Sequence, residues 1–174
     1  MPKQVRAITK TERILSIYHL LTHCDEVSMQ ELTNLLQCSK KTFSRDIALL
    51  KKTGVQVRYS VKRQAFVLVE YRRKEAIEAA SKSEARYMAK IQRLLTLMDD
   101  LPVADCDIWY FDNIPNATKR TMQRDFATLN AIGFEIKYER EEFNSHDAGF
   151  YVPVRHYYCD RPNGAYELNA FRNG

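Results

Sequence analysis

Apolar positions recur at helical spacing in two separate stretches of the chain. Ile14, Ile17 and Leu21 stand at i, i+3 and i+7 in the first stretch. The same spacing recurs in the second stretch at Ile91, Leu94 and Met98. Such spacing places the apolar side chains on one face of a helix. We therefore predict an amphipathic helix near the start of each half of the chain.

A short second helix is predicted after each of these. It begins at Ser28 in SMQELTNLLQ and at Asp107 in DIWYFDNIPN. Pro115 ends the latter helix, because proline cannot continue a helix beyond its first turn. Before the second amphipathic helix, Ser81 and Glu84 have the spacing of a capping box, which predicts that this helix begins there.

The third helix of each half belongs to an internal repeat. KKTFSRDIALLKKTGVQVRY (residues 40–59) and KRTMQRDFATLNAIGFEIKY (residues 119–138) agree at 8 of 20 positions without a gap. The identical pairs are Lys40/Lys119, Thr42/Thr121, Arg45/Arg124, Asp46/Asp125, Ala48/Ala127, Leu50/Leu129, Gly54/Gly133 and Tyr59/Tyr138. Ser39 and Thr118 precede the segments as favourable N-caps, and the glycines suit a left-handed helix end. These signals predict two similar helices with the same limits.

Alternating stretches rich in β-branched and aromatic residues follow each glycine. They are VQVRYS and AFVLVE in the first half, and FEIKYE and GFYVPV in the second. Two such runs joined by a turn predict a β-hairpin. Helix, helix, helix and hairpin thus occur twice, and we interpret each copy as a winged helix-turn-helix domain. The predicted fold class is mainly α with small β-hairpins, an α+β fold.

The repeat sets the predicted domain limits. Residues 1–70 form the first winged helix, 71–82 a charged linker and 83–154 the second winged helix. Residues 155–174 contain DRPNG, a turn signal, between two aromatic stretches. We expect this extension to form a final hairpin or a dimerisation arm.

A helical wheel of about 100° per residue separates two faces of each third helix. The apolar face contains Phe43, Ile47 and Leu50 in the first copy, and Met122, Phe126 and Leu129 in the second. The opposite face contains Lys41, Arg45, Ala48 and Lys52, and then Arg120, Arg124, Ala127 and Ala131. Asp46 and Asp125 lie near the buried edge. We expect each to form an ion pair or hydrogen bond within its domain rather than to act in catalysis.

The exposed residues of the first copy suit DNA. A helix in the major groove needs small or hydrogen-bonding residues near its N-terminus, and cations that reach phosphate or guanine. The candidates are Ser39, Lys40, Lys41, Thr42, Ser44 and Arg45. Lys62 and Arg63 stand at the tip of the first hairpin, where a wing would contact phosphates or the minor groove. A merely solvated cationic face is the alternative, and the convergence of two cationic sites on one surface favours DNA.

The second copy keeps a similar set of exposed residues but has a different hairpin. The candidates for DNA contact on its third helix are Lys119, Arg120, Gln123 and Arg124. The hairpin is about five residues longer, and in EREEFNSHDAG the acidic residues Glu139, Glu141, Glu142 and Asp147 outnumber Arg140. Such a wing would repel phosphates. The second domain is therefore expected either to contact adjacent DNA or to serve packing or pairing.

Charge supports a polyanionic partner for the first half only. The chain of 174 residues has a net charge of +5, but residues 1–82 hold 16 Lys+Arg against 8 Asp+Glu, and residues 83–174 hold 11 against 14. A net of +8 is thus joined to a net of −3. Four widely separated cysteines and the lack of a membrane-length apolar run predict a cytoplasmic protein.

We find no pattern typical of a catalytic or phosphate-binding site in the sequence. His19 and His23 stand four residues apart beside Cys24, but no further residue stands at zinc-ligand spacing. We therefore expect no enzymatic activity, no metal, no cofactor and no small-molecule ligand.

The segment QELTNLLQCSKKTFSRDIALLKKTGVQVRY resembles the DeoR-type winged helix-turn-helix, particularly the version at the N-terminus of bacterial WYL-domain transcription regulators. The residues that carry the resemblance are Ser39, Thr42, Arg45, Asp46, Leu50, Gly54 and Val55. It covers residues 10–70, and more loosely 85–152 through Thr118, Thr121, Arg124, Asp125, Leu129 and Gly133. It implies a bacterial or phage transcription regulator, usually a repressor, in which Thr42, Ser44 and Arg45 contact DNA.

The function predicted from the sequence is a sequence-specific regulator that binds double-stranded DNA. Two-fold proteins match palindromic sites, so a homodimer on an inverted repeat is expected, although one chain could also span two half-sites. Two alternatives remain open. Tandem winged helices also serve as protein-interaction modules in chromosome-condensation accessory subunits, and as plasmid replication initiators that bind direct repeats.

Overall fold

The protein has an α+β fold, as predicted. The structure, a computed structural model, describes residues 7–24, 27–72, 79–144 and 151–160. These residues form six α-helices and two small antiparallel sheets. They divide into two compact units, of which one ends at Leu95 and the other begins at Thr96. In the described part of the chain, no helix combines the length and the apolar character that crossing a bilayer requires.

The first unit contains three helices and a three-stranded sheet. Its elements are α1 (Lys10–His23), β1 (Val27–Ser28), α2 (Met29–Leu35), α3 (Lys40–Lys52), β2 (Val55–Ser60) and β3 (Ala65–Tyr71). The sheet order is β1-β3-β2, with β3 antiparallel to both neighbours. This arrangement is compatible with a winged helix. Helix α4 (Lys82–Asp100) begins in this unit and ends in the second one.

The apolar stripes build the core of the first unit. Ile14, Ile17 and Leu21 of α1 are buried, and so are Phe43, Ile47 and Leu50 of α3. Ser39 caps α3, since its side chain accepts a hydrogen bond from the Thr42 N–H group. Gly54 follows the helix with φ 107°, a conformation that costs glycine little. The predicted limits and buried face of α3 are confirmed.

The second unit repeats the later elements. It contains the end of α4, α5 (Cys106–Asn113), α6 (Lys119–Ala131), β4 (Ile136–Asn144) and β5 (Tyr151–Cys159). Strands β4 and β5 pair antiparallel. The buried residues of α6 include Met122, Phe126 and Leu129, as predicted. Thr118 caps this helix, and Gly133 follows it with φ 101°.

Three local features differ from the sequence prediction. Helix α5 begins at Cys106 rather than Asp107, after a left-handed Asp105 whose side chain makes no capping bond. Strand β5 continues to Cys159, beyond the expected limit at 154. At α4, the Ser81 hydroxyl accepts a hydrogen bond from the Glu84 N–H group, as a capping box requires. The Glu84 carboxylate, however, accepts from the N–H group of Ala80 and not of Ser81, so the second bond of the box is shifted by one residue. Asp147 and residues 161–174 of the expected arm lie outside the described residues.

Candidate nucleic-acid interface

Helix α3 presents its N-terminal half to solvent. Ser39, Lys40, Lys41, Ser44 and Arg45 are exposed, and Thr42 is half-buried. The Thr42 and Ser39 hydroxyl oxygens lie 3.0 Å apart, so the Thr42 hydroxyl takes part in the cap. Of the residues predicted to contact DNA, the exposed ones therefore form a continuous patch over the first turns of the helix.

The one carboxylate of α3, Asp46, points into the core. It is 1% exposed, and the Arg13 guanidinium of α1 donates to both of its oxygens, from Nε at 2.5 Å and from Nη2 at 3.3 Å. The hydrogen bond with Asp46 is the main cause of a raised pKa at Arg13. The predicted internal ion pair is confirmed. Because this negative charge is buried and matched, every charged side chain that α3 exposes is positive.

The C-terminal end of α3 is also positive, but it has an acidic neighbour. The Lys52 ammonium donates to the Glu84 carboxylate at 2.9 Å. This hydrogen bond is the main cause of a lowered pKa at Glu84. Among the described residues, no carboxylate lies within ion-pair distance of Lys40, Lys41 or Arg45. The N-terminal patch therefore has the less compensated positive charge.

The first turns of α3 and α6 differ in charge from those of the other described helices. Glu12 in α1, Glu31 in α2, Glu84 in α4 and Asp107 in α5 place an acidic residue there. Helices α3 and α6 have none, and each begins with two cations. Cations at a helix N-terminus oppose the helix dipole, whereas an anion is favoured there. This charge pattern does not favour helix stability, but it suits contact with phosphate.

The turn between β2 and β3 carries the second cationic group. Lys62 and Arg63 are exposed in the four-residue turn 61–64. One residue pair away from this turn, the ring centroids of Tyr59 and Phe66 lie 5.0 Å apart, and those of Phe66 and Phe43 of α3 lie 5.1 Å apart. Aromatic packing thus connects the hairpin to α3, so the wing and the helix have a defined relative position.

Helix α6 also buries its one carboxylate and exposes cations. Lys119, Arg120, Gln123 and Arg124 are exposed. Asp125, the one carboxylate of α6, is 1% exposed and accepts a hydrogen bond from the Tyr110 hydroxyl at 2.6 Å. The predicted hydrogen bond within the second unit is confirmed. The charged side chains that α6 exposes are again all positive.

The hairpin of the second unit carries charge of both signs near its base. Lys137 is exposed and donates to the Asp160 carboxylate, which raises the pKa of this lysine. Glu139 is exposed and stands opposite His156 in the register. The part of this hairpin that the structure describes in full therefore carries mixed charge, whereas the turn of the first hairpin carries two exposed cations.

The two histidines of α1 pack against each other. The His19 and His23 rings stack with centroids 4.0 Å apart. Burial, with a smaller contribution from His23, lowers the pKa of His19 to about 4, so this side chain is neutral at physiological pH. Across residues 7–24, 27–72, 79–144 and 151–160, no group of three or more His, Cys, Asp and Glu side chains is placed to hold a metal ion.

Comparison with known proteins gives one match. A family model described as an HTH domain matches residues 13–63. The match runs from Arg13 in α1 to Arg63 in the wing turn, so it includes every candidate DNA contact of the first unit. It supports a helix-turn-helix DNA-binding domain in this part of the chain. Searches of curated proteins and of solved structures found no significant match.

Proposed function

We propose that this protein is a sequence-specific transcription regulator that binds double-stranded DNA through α3 and the β2–β3 wing. The family match supports DNA binding by residues 13–63. The observation that favours α3 as the DNA-binding surface is the burial of Asp46 against Arg13. It leaves α3 with an exposed face on which all the charges are positive. A phosphate backbone is the polyanion that such a face and wing would fit.

Each part of this surface has a distinct role in the proposal. Arg45 lies one turn into α3 and has the planar donors that bond to two acceptors of guanine in the major groove. Lys40 and Lys41 at the helix N-terminus neutralise phosphates, and the Ser39 and Ser44 hydroxyls supply short-range hydrogen bonds. Phosphate contacts fix the position of the helix, whereas base contacts give sequence preference.

Substitution of the two cations in the wing turn is expected to affect DNA binding in a different way from substitution in α3. Lys62→Ala combined with Arg63→Ala is expected to weaken binding to all duplexes by a similar factor, because phosphate contacts carry no sequence information. The slope of log K against log salt concentration should become less steep by about 0.9 for each phosphate that the wing no longer neutralises. Fluorescence anisotropy of a labelled duplex over a salt series measures both effects. An unchanged slope would show that the turn does not touch DNA.

We further propose that the chain contains two winged helices of the DeoR type, with the predicted limits 1–70 for the first and 83–154 for the second, the latter lengthened to the end of β5 at Cys159. The support is that α3 and α6 share N-cap type, buried face, inward carboxylate and exposed cations. In this account α6 contacts DNA beside the site of α3, through Lys119, Arg120, Gln123 and Arg124. The protein acts as a repressor, and a homodimer places two copies of α3 on an inverted repeat.

A footprint on the DNA upstream of the protein's own gene tests this arrangement. The proposal predicts protection of an inverted repeat of about two helical turns at near-physiological salt. Protection across several direct repeats would instead favour a replication initiator. A footprint that does not change in length when Arg120 and Arg124 are replaced by alanine would remove α6 from the interface.

A further inference from the structure

Helices α2 and α5 occupy the same place in the element order of their units but expose different chemistry. Leu32 at the centre of α2 and Leu36 directly after it are buried, and Tyr110 of α5 and Ile114 directly after that helix are the corresponding buried residues. With these pairs aligned, Gln30 and Thr33 of α2 correspond to Ile108 and Phe111 of α5. The first copy thus has polar side chains at two outward positions where the second copy has large apolar ones.

Ile108 and Phe111 form an exposed apolar ridge. They are 58% and 46% exposed, and residues three positions apart lie on the same face of a helix. Single exposed apolar residues are common in soluble proteins. Here the first copy shows that the fold does not need apolar side chains at these positions. The ridge is therefore a property of the second unit and not of the shared architecture.

The ridge lies in a strongly acidic part of the chain. Residues 94–118 contain no Lys, Arg or His, and their five acidic residues are Asp99, Asp100, Asp105, Asp107 and Asp112. Asp105 and Asp112 flank the ridge and are exposed. Asp107 is half-buried and accepts a hydrogen bond from the Tyr157 N–H group at 3.2 Å. The exposed carboxylates would repel DNA, so this surface has the opposite preference from the α3 face.

We propose that the outward face of α5 is a docking surface for a partner protein that presents an apolar helix ridge flanked by Lys or Arg side chains. Apolar contact with Ile108 and Phe111 supplies affinity, and the aspartates select a basic partner. A second copy of this chain fits less well, because a two-fold contact across α5 would bring Asp105 and Asp112 against acidic residues of the same kind. This surface is independent of the DNA-binding proposal.

The probe is a synthetic amphipathic helical peptide of about 20 residues, with leucines on one face and lysines on both flanks. A second peptide carries glutamate in place of every lysine. Binding of each labelled peptide to the full chain is measured by fluorescence anisotropy. The lysine peptide is expected to bind at least about tenfold more tightly than the glutamate peptide, because the aspartates attract one flank and repel the other.

The test variant replaces Ile108→Gln and Phe111→Thr, which installs the residues that α2 has at the same positions. It is expected to bind the lysine peptide about tenfold or more weakly, with an unchanged melting temperature and unchanged DNA affinity. If the double variant melts lower, Ile108→Gln alone serves, since Ile108 is the more exposed residue. The matched control is Val61→Thr with Val69→Thr, which removes exposed apolar groups from the first unit and should leave peptide binding unchanged.

Several results would overturn this inference. If the lysine and glutamate peptides bound equally tightly, the aspartates would not select the partner. If the double variant bound the lysine peptide as tightly as the native chain does, the apolar ridge would not supply the affinity. Sedimentation that shows a dimer for the native chain and a monomer for the double variant would assign the face to a second copy of the chain. Loss of DNA affinity in the double variant would place α5 in the DNA interface instead.

Discussion

Arg45→Ala is expected to weaken binding to the specific duplex by about 1–3 kcal/mol, the usual value of a good bidentate contact between a side chain and a base. Arg45 is exposed, and the neighbouring Asp46 is turned inward to Arg13. The guanidinium of Arg45 is therefore available to DNA without first breaking an ion pair with another residue that the structure describes. Affinity for random duplexes should fall much less than affinity for the specific site, because a base contact contributes to sequence preference.

The matched control for this prediction is Lys52→Ala. It removes one positive charge from the same exposed helix, but at the other end, where Lys52 donates to Glu84. The control should change specific affinity much less than Arg45→Ala does, because Glu84 already offsets the charge of Lys52. The measurement is a titration of labelled specific and random duplexes at one salt concentration. Equal reductions for the two variants would mean that net charge, and not the position of Arg45, determines binding.

Asp46→Ala is expected to cost about 3 kcal/mol of the free energy of unfolding, the lower end of the range for breaking a buried ion pair. The substitution leaves the Arg13 guanidinium largely buried without its carboxylate, since the Arg13 side chain is only 15% exposed. The matched variant is Arg13→Met combined with Asp46→Ala, which removes the cation together with its carboxylate and is expected to cost less than Asp46→Ala alone. Urea denaturation followed by circular dichroism measures both values.

The difference between these two variants tests the electrostatic part of the prediction. A larger cost for Asp46→Ala is expected because this variant alone leaves the Arg13 guanidinium buried without its carboxylate. If the double variant cost as much as Asp46→Ala, the charge of Arg13 would not be the cause. A cost below about 1 kcal/mol for Asp46→Ala would show that water compensates Arg13, and that α1 and α3 do not depend on this contact.

The limits of α3 and α6 could be predicted because local chemistry determines them. Ser39 and Thr118 cap their helices through bonds to residues three positions ahead, and Gly54 and Gly133 adopt the expected positive φ. The exposed face follows from the 3.6-residue period alone. Most of the candidate DNA surface is therefore contained in short-range patterns.

Other features depend on contacts between distant parts of the chain. Asp46 accepts hydrogen bonds from Arg13, 33 residues away, and the equivalent Asp125 accepts one from Tyr110, 15 residues away. No periodicity identifies which cation or hydroxyl meets a buried carboxylate. The two-residue strand Val27–Ser28 is too short to show alternation, yet it adds a third strand to the first sheet. In the second unit, one hydrogen bond from the Cys159 N–H group to the Val103 carbonyl links β5 to the residues before α5.

Strand β5 extends beyond its predicted end for a similar reason. Its final residues, RHYYC, do not alternate between apolar and polar side chains, so the pattern gives no reason to continue the strand. The ladder continues because β4 supplies a partner at every position, down to Ile136 opposite Cys159. The Tyr157 ring of this segment also packs on the Phe126 ring of α6, with the ring centroids 5.3 Å apart. Pairing and packing with other elements therefore determine the strand end.

The measurement that tests the central claim most directly is selection of duplexes from a random pool, followed by titration of the selected and scrambled sequences at near-physiological salt. The account predicts an enriched motif and an affinity ratio of about 10³ or more between the two duplexes. It also predicts that Arg45→Ala reduces this ratio. Selection without an enriched motif, together with equal weak and salt-sensitive affinity for both duplexes, would contradict sequence-specific recognition by α3.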